Sequence, residues 1–302
     1  MDFYMSRRNE MSNKVYELVT NTIVEGLKKG RVPWRRPWSV FRPFNPVSRT
    51  VYRGLNTLLL SVTSYDDPRW MTFKQIEAAG GKVRKGEKGT PIVFWKQIQH
   101  EDKITGELKS FPILKHFYVW NVKQADGLKL LPLERTQKHE PIAACENLVR
   151  LMPNQPKIRH GGDKAYYSPT IDLVVMPPFD TFESAEAYYS TLFHELGHST
   201  GHESRLNRPE VMRSDGLGGE AYSREELLAE LCAAFLCQIT GIDNDVTNTQ
   251  AYINGWLAKL QDDPKMIVWA AGKAAAAANY IQGKNSFQEV EEAQESLELA
   301  AA

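Results

Sequence analysis

The sequence predicts an α+β protein of two domains: a first half with a small antiparallel sheet, and a second half that is mainly helical. Charge is the first indication. The 302 residues are neutral overall, yet residues 1–130 hold 23 Lys and Arg against 12 Asp and Glu, a net of +11, whereas residues 131–302 hold 14 against 25, a net of −11. Two regions of opposite sign read as two bodies with different partners. The second indication is a change of character at Gly127–Pro141, which carries prolines and several charges. The third is that the aromatic, β-branched runs of strand length cluster before this break, and helical periodicity dominates after it. The reading divides the chain into residues 1–128, a linker over 129–141, and residues 142–302.

Each element follows from its local pattern. Val15, Leu18, Val19, Ile23 and Leu27 recur at three- and four-residue steps, so Lys14–Lys28 is an amphipathic helix, stopped by Gly30 and Pro33. A loop rich in Arg, Pro and aromatics runs from Arg31 to Pro46, and Leu55–Ser61 is a second short helix. Trp70-Met71-Thr72 leads into a helix over Phe73–Ala79, ended by Gly80-Gly81. Pro91–Gln97 and Phe111–Asn121 are strands, joined by a polar loop over His100–Lys109. Beyond the linker come a helix at Ile142–Leu151 and strands at Ala165–Tyr167 and Asp172–Met176, the latter ended by Pro177-Pro178. Helices at Glu183–Ser199 and Ser223–Thr240 follow, Ser223 serving as N-cap with Glu226 three residues later. Asn248–Gln282 is helical in pattern, and Ser286–Ala302 is an acidic tail.

Composition excludes several classes. With 42% hydrophobic and 25% charged residues the chain is an ordinary globular one. No segment has the roughly 18 uninterrupted apolar residues of a membrane span, and the N-terminus has no apolar stretch of signal-peptide length. Cys145, Cys232 and Cys237 form neither a disulfide framework nor a CxxC pair. The expectation is a cytoplasmic protein with no membrane partner.

The strongest motif is His194-Glu195-Leu196-Gly197-His198. On a helix, His194 and His198 project from one face and can converge on one cation, while Glu195 is offset so that its carboxylate reaches a metal-bound water. Glu195 can then take the water's proton and pass it to a leaving amine, the chemistry of a metallopeptidase. Such a site needs a third protein ligand and one open position. His202 lies beyond the helix-breaking Gly201, and the position where an extended HExxHxxGxxH motif wants histidine is Ser204. Glu226 is expected as the third ligand, with Glu230, one turn on, accepting a ligand imidazole N–H; the reverse assignment stays open. Glu225 reads as an exposed glutamate at a helix start. The ion expected is divalent, Zn2+ first, with Mn2+ or Co2+ as alternatives.

The basic half holds five of the seven tryptophans, several interleaved with arginine, as in Trp34-Arg35-Arg36-Pro37-Trp38, followed by Arg42. Cations that track phosphates beside flat rings on which bases stack are what single-stranded nucleic acid requires. Arg53 and a second basic turn with Lys82, Arg84, Lys85 and Lys88 join the candidate set, its glycines allowing close backbone approach. Trp95 and Trp120, within apolar strands, read as core; Trp34 and Trp38 are as open to packing as to binding.

At this point the chain resembles the ArdC-type antirestriction proteins of conjugative plasmids, and its N-terminal part is similar to the corresponding domain of TraC-type plasmid primases. The resemblance rests on Pro33-Trp34 with Pro43–Pro46, Tyr52–Asn56, Trp70–Phe73, Gly81–Gly89, Tyr166–Pro169, Met176–Pro178, His194–His202, Arg205–Arg208 and Glu225–Leu236, and runs from about residue 12 to 280. It implies an N-terminal single-stranded DNA-binding domain and a C-terminal zincin-like metallopeptidase domain similar to Spartan-type proteases. It further implies that incoming plasmid DNA is protected from host restriction, with a DNA-bound protein as the substrate class. The main rival is a DNA-binding shield in which the metal is structural; a nuclease is a weaker third reading.

Overall fold

The computed structural model describes residues 2–33, 42–63, 65–101, 108–133, 141–208, 220–242 and 250–284. The first part opens with α1 (Asp2–Lys28), whose Val15, Val19, Ile23, Val24 and Leu27 are buried as the periodicity predicts. The helix stops where Gly30 takes φ +71°, a left-handed conformation that costs glycine least. Next are α2 (Leu55–Ser61), β1 (Trp70–Met71), α3 (Phe73–Ala78), β2 (Lys82–Val83), β3 (Thr90–Glu101), β4 (Leu108–Asn121) and β5 (Ala125–Asp126). Strands β1, β4 and β3 form an antiparallel sheet in that order, and β2 pairs with β5. Thr72 starts α3 with a capping box, accepting from Gln75 N while the Gln75 side chain accepts from Thr72 N. The free edge of β3 is closed by Asn56 of α2, which accepts from Val93 N at 2.7 Å and donates to Val93 O at 2.8 Å.

The second part comprises α4 (Pro141–Leu151), β6 (Lys157–His160), β7 (Tyr166–Ser168), β8 (Leu173–Met176), α5 (Ala185–Ser199), α6 (Glu220–Thr240), α7 (Gln250–Asp262) and α8 (Met266–Ile281). Its sheet has the order β6-β8-β7, with β6 parallel and β7 antiparallel to β8. α5 packs on this sheet, α6 on α5, and α8 on α6. α8 turns Ala270, Ala271, Ala274, Ala277 and Ala278 inward and leaves Gly272 and Lys273 exposed. No helix among the described residues is long and apolar enough to cross a membrane.

One apolar core is continuous across both parts. It joins α1, Leu58, Leu59, Val93 and Leu114 to Val174, Phe193, Leu227 and the α8 alanines. α1 is the link, resting on β4, α7 and α8, with Thr20 Oγ1 donating to Pro264 O at 2.6 Å.

Several elements differ from expectation for identifiable reasons. β3 and β4 run into the polar segment read as a loop, because ladder hydrogen bonds do not require apolar side chains. β6, Lys-Ile-Arg-His, lacks a strand-like pattern and is ordered by its parallel pairing with β8. α6 already includes Glu220, so Ser223 lies inside the helix rather than capping it. The Asn248–Gln282 pattern is two helices, broken at Asp263–Lys265, where Pro264 lacks the N–H a continuous helix needs. The acidic tail, the interior of the β3–β4 connection and most of the expected linker lie outside the described residues.

Candidate metal centre

α5 is started by Ser184, whose Oγ accepts from Ala187 N at 3.1 Å. Its Leu192, Phe193 and Leu196 are fully buried, which fixes the helix rotation and turns His194 and His198 toward α6. Gly197 sets the distance. A Cβ there would lie 3.3 Å from Ala229 Cα and 3.3 Å from Cys232 Cβ of α6, so the lack of a side chain lets the two helices close on each other.

That approach brings three potential ligands together. His194, His198 and Glu226 each offer an atom within 4.8 Å of the others, the one such cluster among the described residues. The two imidazole Nε2 atoms are 3.1 Å apart, and Glu226 reaches His194 Nε2 at 3.6 Å and His198 Nε2 at 3.5 Å. Ligands held about 2.0–2.1 Å from one tetrahedral ion stand roughly 3.3–3.4 Å from each other, so this triangle has the right size. Two imidazoles and one carboxylate are also the donor set that divalent zinc and its neighbours accept. Glu195 is buried, and its charge acts on both His194 and Tyr222. Tyr222 hydrogen-bonds Glu226. Burial lowers the His194 pKa, but the hydrogen bond to Glu226 and the charges of Glu195, Glu226 and Glu230 outweigh it, and the net shift is upward.

Behind the triangle lies a buried polar network that the sequence reading missed. His198 Nδ1 faces Glu225 Oε1 at 3.3 Å, and Arg208 donates to Glu225 Oε1 at 2.6 Å and Oε2 at 3.2 Å. The same guanidinium donates to Thr200 Oγ1 at 2.6 Å and Gly197 O at 3.0 Å, placing a cation at the C-terminal end of α5. Arg208 is 3% exposed and Glu225 5%. Glu225 is therefore not a surface glutamate, and the carboxylate that faces the His198 nitrogen is Glu225 rather than Glu230. Burial alone would raise the Glu225 pKa; His198 and Arg208 reverse that and hold it below the ordinary carboxylate value. Glu230 is half-buried, one turn beyond Glu226, and acts on His194 through its charge.

Arg205, three residues before Arg208, ties the same loop to the sheet. It donates to Ser199 O at 2.7 Å, to Asn154 O at 2.7 Å and to both carboxylate oxygens of Asp172. His202, set aside as a ligand, bonds Ser204 Oγ at 2.9 Å instead. The available signal was Arg205-Leu206-Asn207-Arg208, two arginines in a short loop of an otherwise acidic half.

Trp34, Arg35, Arg36 and Trp38 lie outside the described residues. Arg42 is half-buried near Arg53, and Arg53 is exposed. Lys82, Lys85 and Lys88 are exposed. Arg84 is engaged within the molecule, with Glu87 at 2.9 Å, Asp126 at 3.3 Å and Lys123 O at 2.6 Å. Trp120 is half-buried and packs against the core cluster of Met71, Ile76 and Val122, in keeping with the core reading, with Phe73 edge-on to it; the Trp95 side chain lies outside the described set.

Comparison with known proteins agrees with this division. Residues 13–120 match the model for the N-terminal domain of anti-restriction factor ArdC, and residues 144–273 the model for a zincin-like metallopeptidase. A DNA primase TraC of Escherichia coli is 37% identical over 297 residues, covering 90% of this chain; the chain spans only 27% of that relative's length. The protein y4eC of Sinorhizobium fredii (strain NBRC 101917 / NGR234) is 33% identical over 303 residues, 93% of this chain and 95% of its own. The crystal structure of the antirestriction protein ArdC from plasmid R388, in its metal-free form, is 36% identical with a TM-score of 0.70, covering 88% of this chain and 96% of that one. Its Mn(II)-bound form gives 36% identity and a TM-score of 0.69, covering 90% and 99%.

Proposed function

The chain belongs to the ArdC family of antirestriction proteins, and on that premise we propose that it is a metal-dependent peptidase joined to a single-stranded DNA-binding domain. It protects incoming plasmid DNA from host restriction by acting on proteins bound to that DNA. The observation that carries the reading is the His194–His198–Glu226 triangle with Glu195 in the adjoining turn. A divalent ion, zinc or manganese, held there supplies a Lewis acid and an acidified water.

The chain's own residues do the rest. His198, donating from Nδ1 to Glu225, keeps its Nε2 lone pair directed at the centre. Arg208 holds Glu225 in place for that bond. Glu195 accepts a proton from the attacking water and returns it to the leaving amine. The DNA-binding half raises the effective concentration of the peptidase near proteins on the same strand.

Protection of transferred DNA in a restricting host, measured with wild type and Glu195→Ala, tests the reading. Loss of protection in a variant that still folds and holds metal supports it. Full protection by Glu195→Ala overturns proteolysis as the protective step and leaves the DNA-binding shield. Glu195→Ala removes the proton carrier without removing a ligand, so metal content stays at the wild-type level.

A further inference from the structure

The outward face of β4 carries a row of aromatic side chains. Phe117 and Val119 turn toward the core formed with Tyr52, Leu60, Trp70 and Ile92. The alternate residues His116, Tyr118 and Trp120 share the other face. His116 is exposed, Tyr118 is 42% exposed and Trp120 is half-buried. Phe73 of α3, 44% exposed, extends the row. The His116 and Tyr118 rings are 5.6 Å apart, as are those of Trp120 and Phe73. A Cβ at position 89 would lie 2.9 Å from both the Trp120 indole and Tyr118 Cβ, so Gly89 leaves room for the Trp120 ring against its backbone. Leu114 on the same face is buried and Trp120 also packs against the core cluster of Met71, Ile76 and Val122, so the rings this face offers to a ligand are chiefly His116, Tyr118 and Phe73, where a solvated sheet face is ordinarily polar.

The row borders a basic cleft. Between the end of α1 and the start of β3 lies a cleft of about 610 Å³, lined among others by Lys29, Arg31, Lys88, Thr63 and Tyr65. Pro91, also in its lining, is the cross-strand partner of Tyr118. Glu25, the one acid in the lining, is paired with Lys28 at 2.8 Å.

We propose that single-stranded DNA crosses this face, with its bases on the His116–Tyr118–Trp120–Phe73 row and its phosphates in the Lys29–Arg31–Lys88 cleft. The assignment rests on the reading that the N-terminal half binds single-stranded DNA and adds the place. Same-face residues of a strand are about 6.8 Å apart, twice the ~3.4 Å rise per nucleotide in a duplex strand. A strand opened to that spacing has room for one base against each ring. Paired bases, stacked on one another inside a duplex, cannot reach rings held on a sheet face.

The test is fluorescence anisotropy of a labelled oligothymidylate with the full chain over a range of salt. Removing one ring weakens binding roughly 5- to 150-fold, so Phe73→Ala/Tyr118→Ala loses affinity whereas Tyr118→Trp keeps it. Lys29→Gln/Lys88→Gln flattens the salt dependence by ~0.7 in log–log slope for each phosphate left without its cation. Phe179→Ala, an exposed ring in the second half, is the control and changes nothing; far-UV spectra confirm that each variant folds. Binding by the wild type that both double variants leave intact overturns the placement alone. Tighter binding of an equal-length duplex also overturns it, and failure of the wild type to bind any oligonucleotide overturns the DNA reading with it.

Discussion

Arg208→Met tests whether the buried network behind the metal triangle holds the site together. Arg208 reaches Glu225, Thr200 and Gly197, and its side chain is 3% exposed against 7% for that of Glu225. Methionine fills much of the volume but leaves Glu225 buried without its guanidinium. Breaking a buried pair from one side costs about 3–5 kcal/mol. With unfolding entropy near 2.1 cal/mol/K per residue over 302 residues, that is a fall of about 5–8 °C in Tm. Removing the outer partners of a ligand histidine also weakens metal binding by roughly 10–100-fold. Calorimetric melting and zinc or manganese titration read the two effects. Arg208→Met/Glu225→Leu, which removes both charges, recovers much of the stability because no uncompensated charge is left, but does not restore the metal affinity. A single variant that melts within about 1 °C of wild type, well under the 5–8 °C expected for a broken buried pair, would refute this account. So would a double variant no more stable than the single one.

Three further outcomes are expected. Glu226→Gln lowers metal content at limiting metal far more than Glu230→Gln, read by elemental analysis; the opposite order would transfer the ligand role to Glu230. Gly197→Val forces α5 and α6 apart at Ala229 and Cys232, costing about 1–3 kcal/mol in urea unfolding and weakening metal binding; unchanged values for both would show that the close approach is not what positions Glu226. Burial raises the Asp172 pKa, but Arg205 and Tyr167 outweigh it and hold it below the ordinary 3.8. Its folded pKa is thus depressed, so its contribution to stability is present above the unfolded value and is lost as pH falls below about 4. Asp172→Asn should flatten the acid limb of a urea-midpoint profile, and an acid limb as steep as wild type would remove this pair from the explanation.

Much of the molecule was legible in the order of residues. The two-domain α+β class, the amphipathic α1, the helix presenting His194 and His198, and the choice among His202, Ser204 and the α6 glutamates all follow from local spacing, which the backbone period converts directly into direction. What was not legible depended on contacts between distant segments. Glu226 and Glu230 share a helix face by spacing, and both act on His194, but spacing did not show that the carboxylate at His198 Nδ1 is Glu225. Glu225 lies about 100° round the helix from Glu226 and looked like a surface residue.

Residue spacing alone named the candidate ligands and the helices that present them, with Glu226 and Glu230 left as alternatives. How α6 crosses α5 was settled by packing. With Gly197 against Ala229 and Cys232, the N-terminal turn of α6 sits under His198, and the loop after α5 brings Arg208 back beneath it. A helix states the relative directions of its own residues but not its rotation or crossing against a neighbour, which close packing of both surfaces settles. The same holds for the aromatic row: alternation places His116, Tyr118 and Trp120 on one face, but only the elements packed around the sheet decide that Leu114 on that face is buried, Trp120 half-buried and His116 exposed.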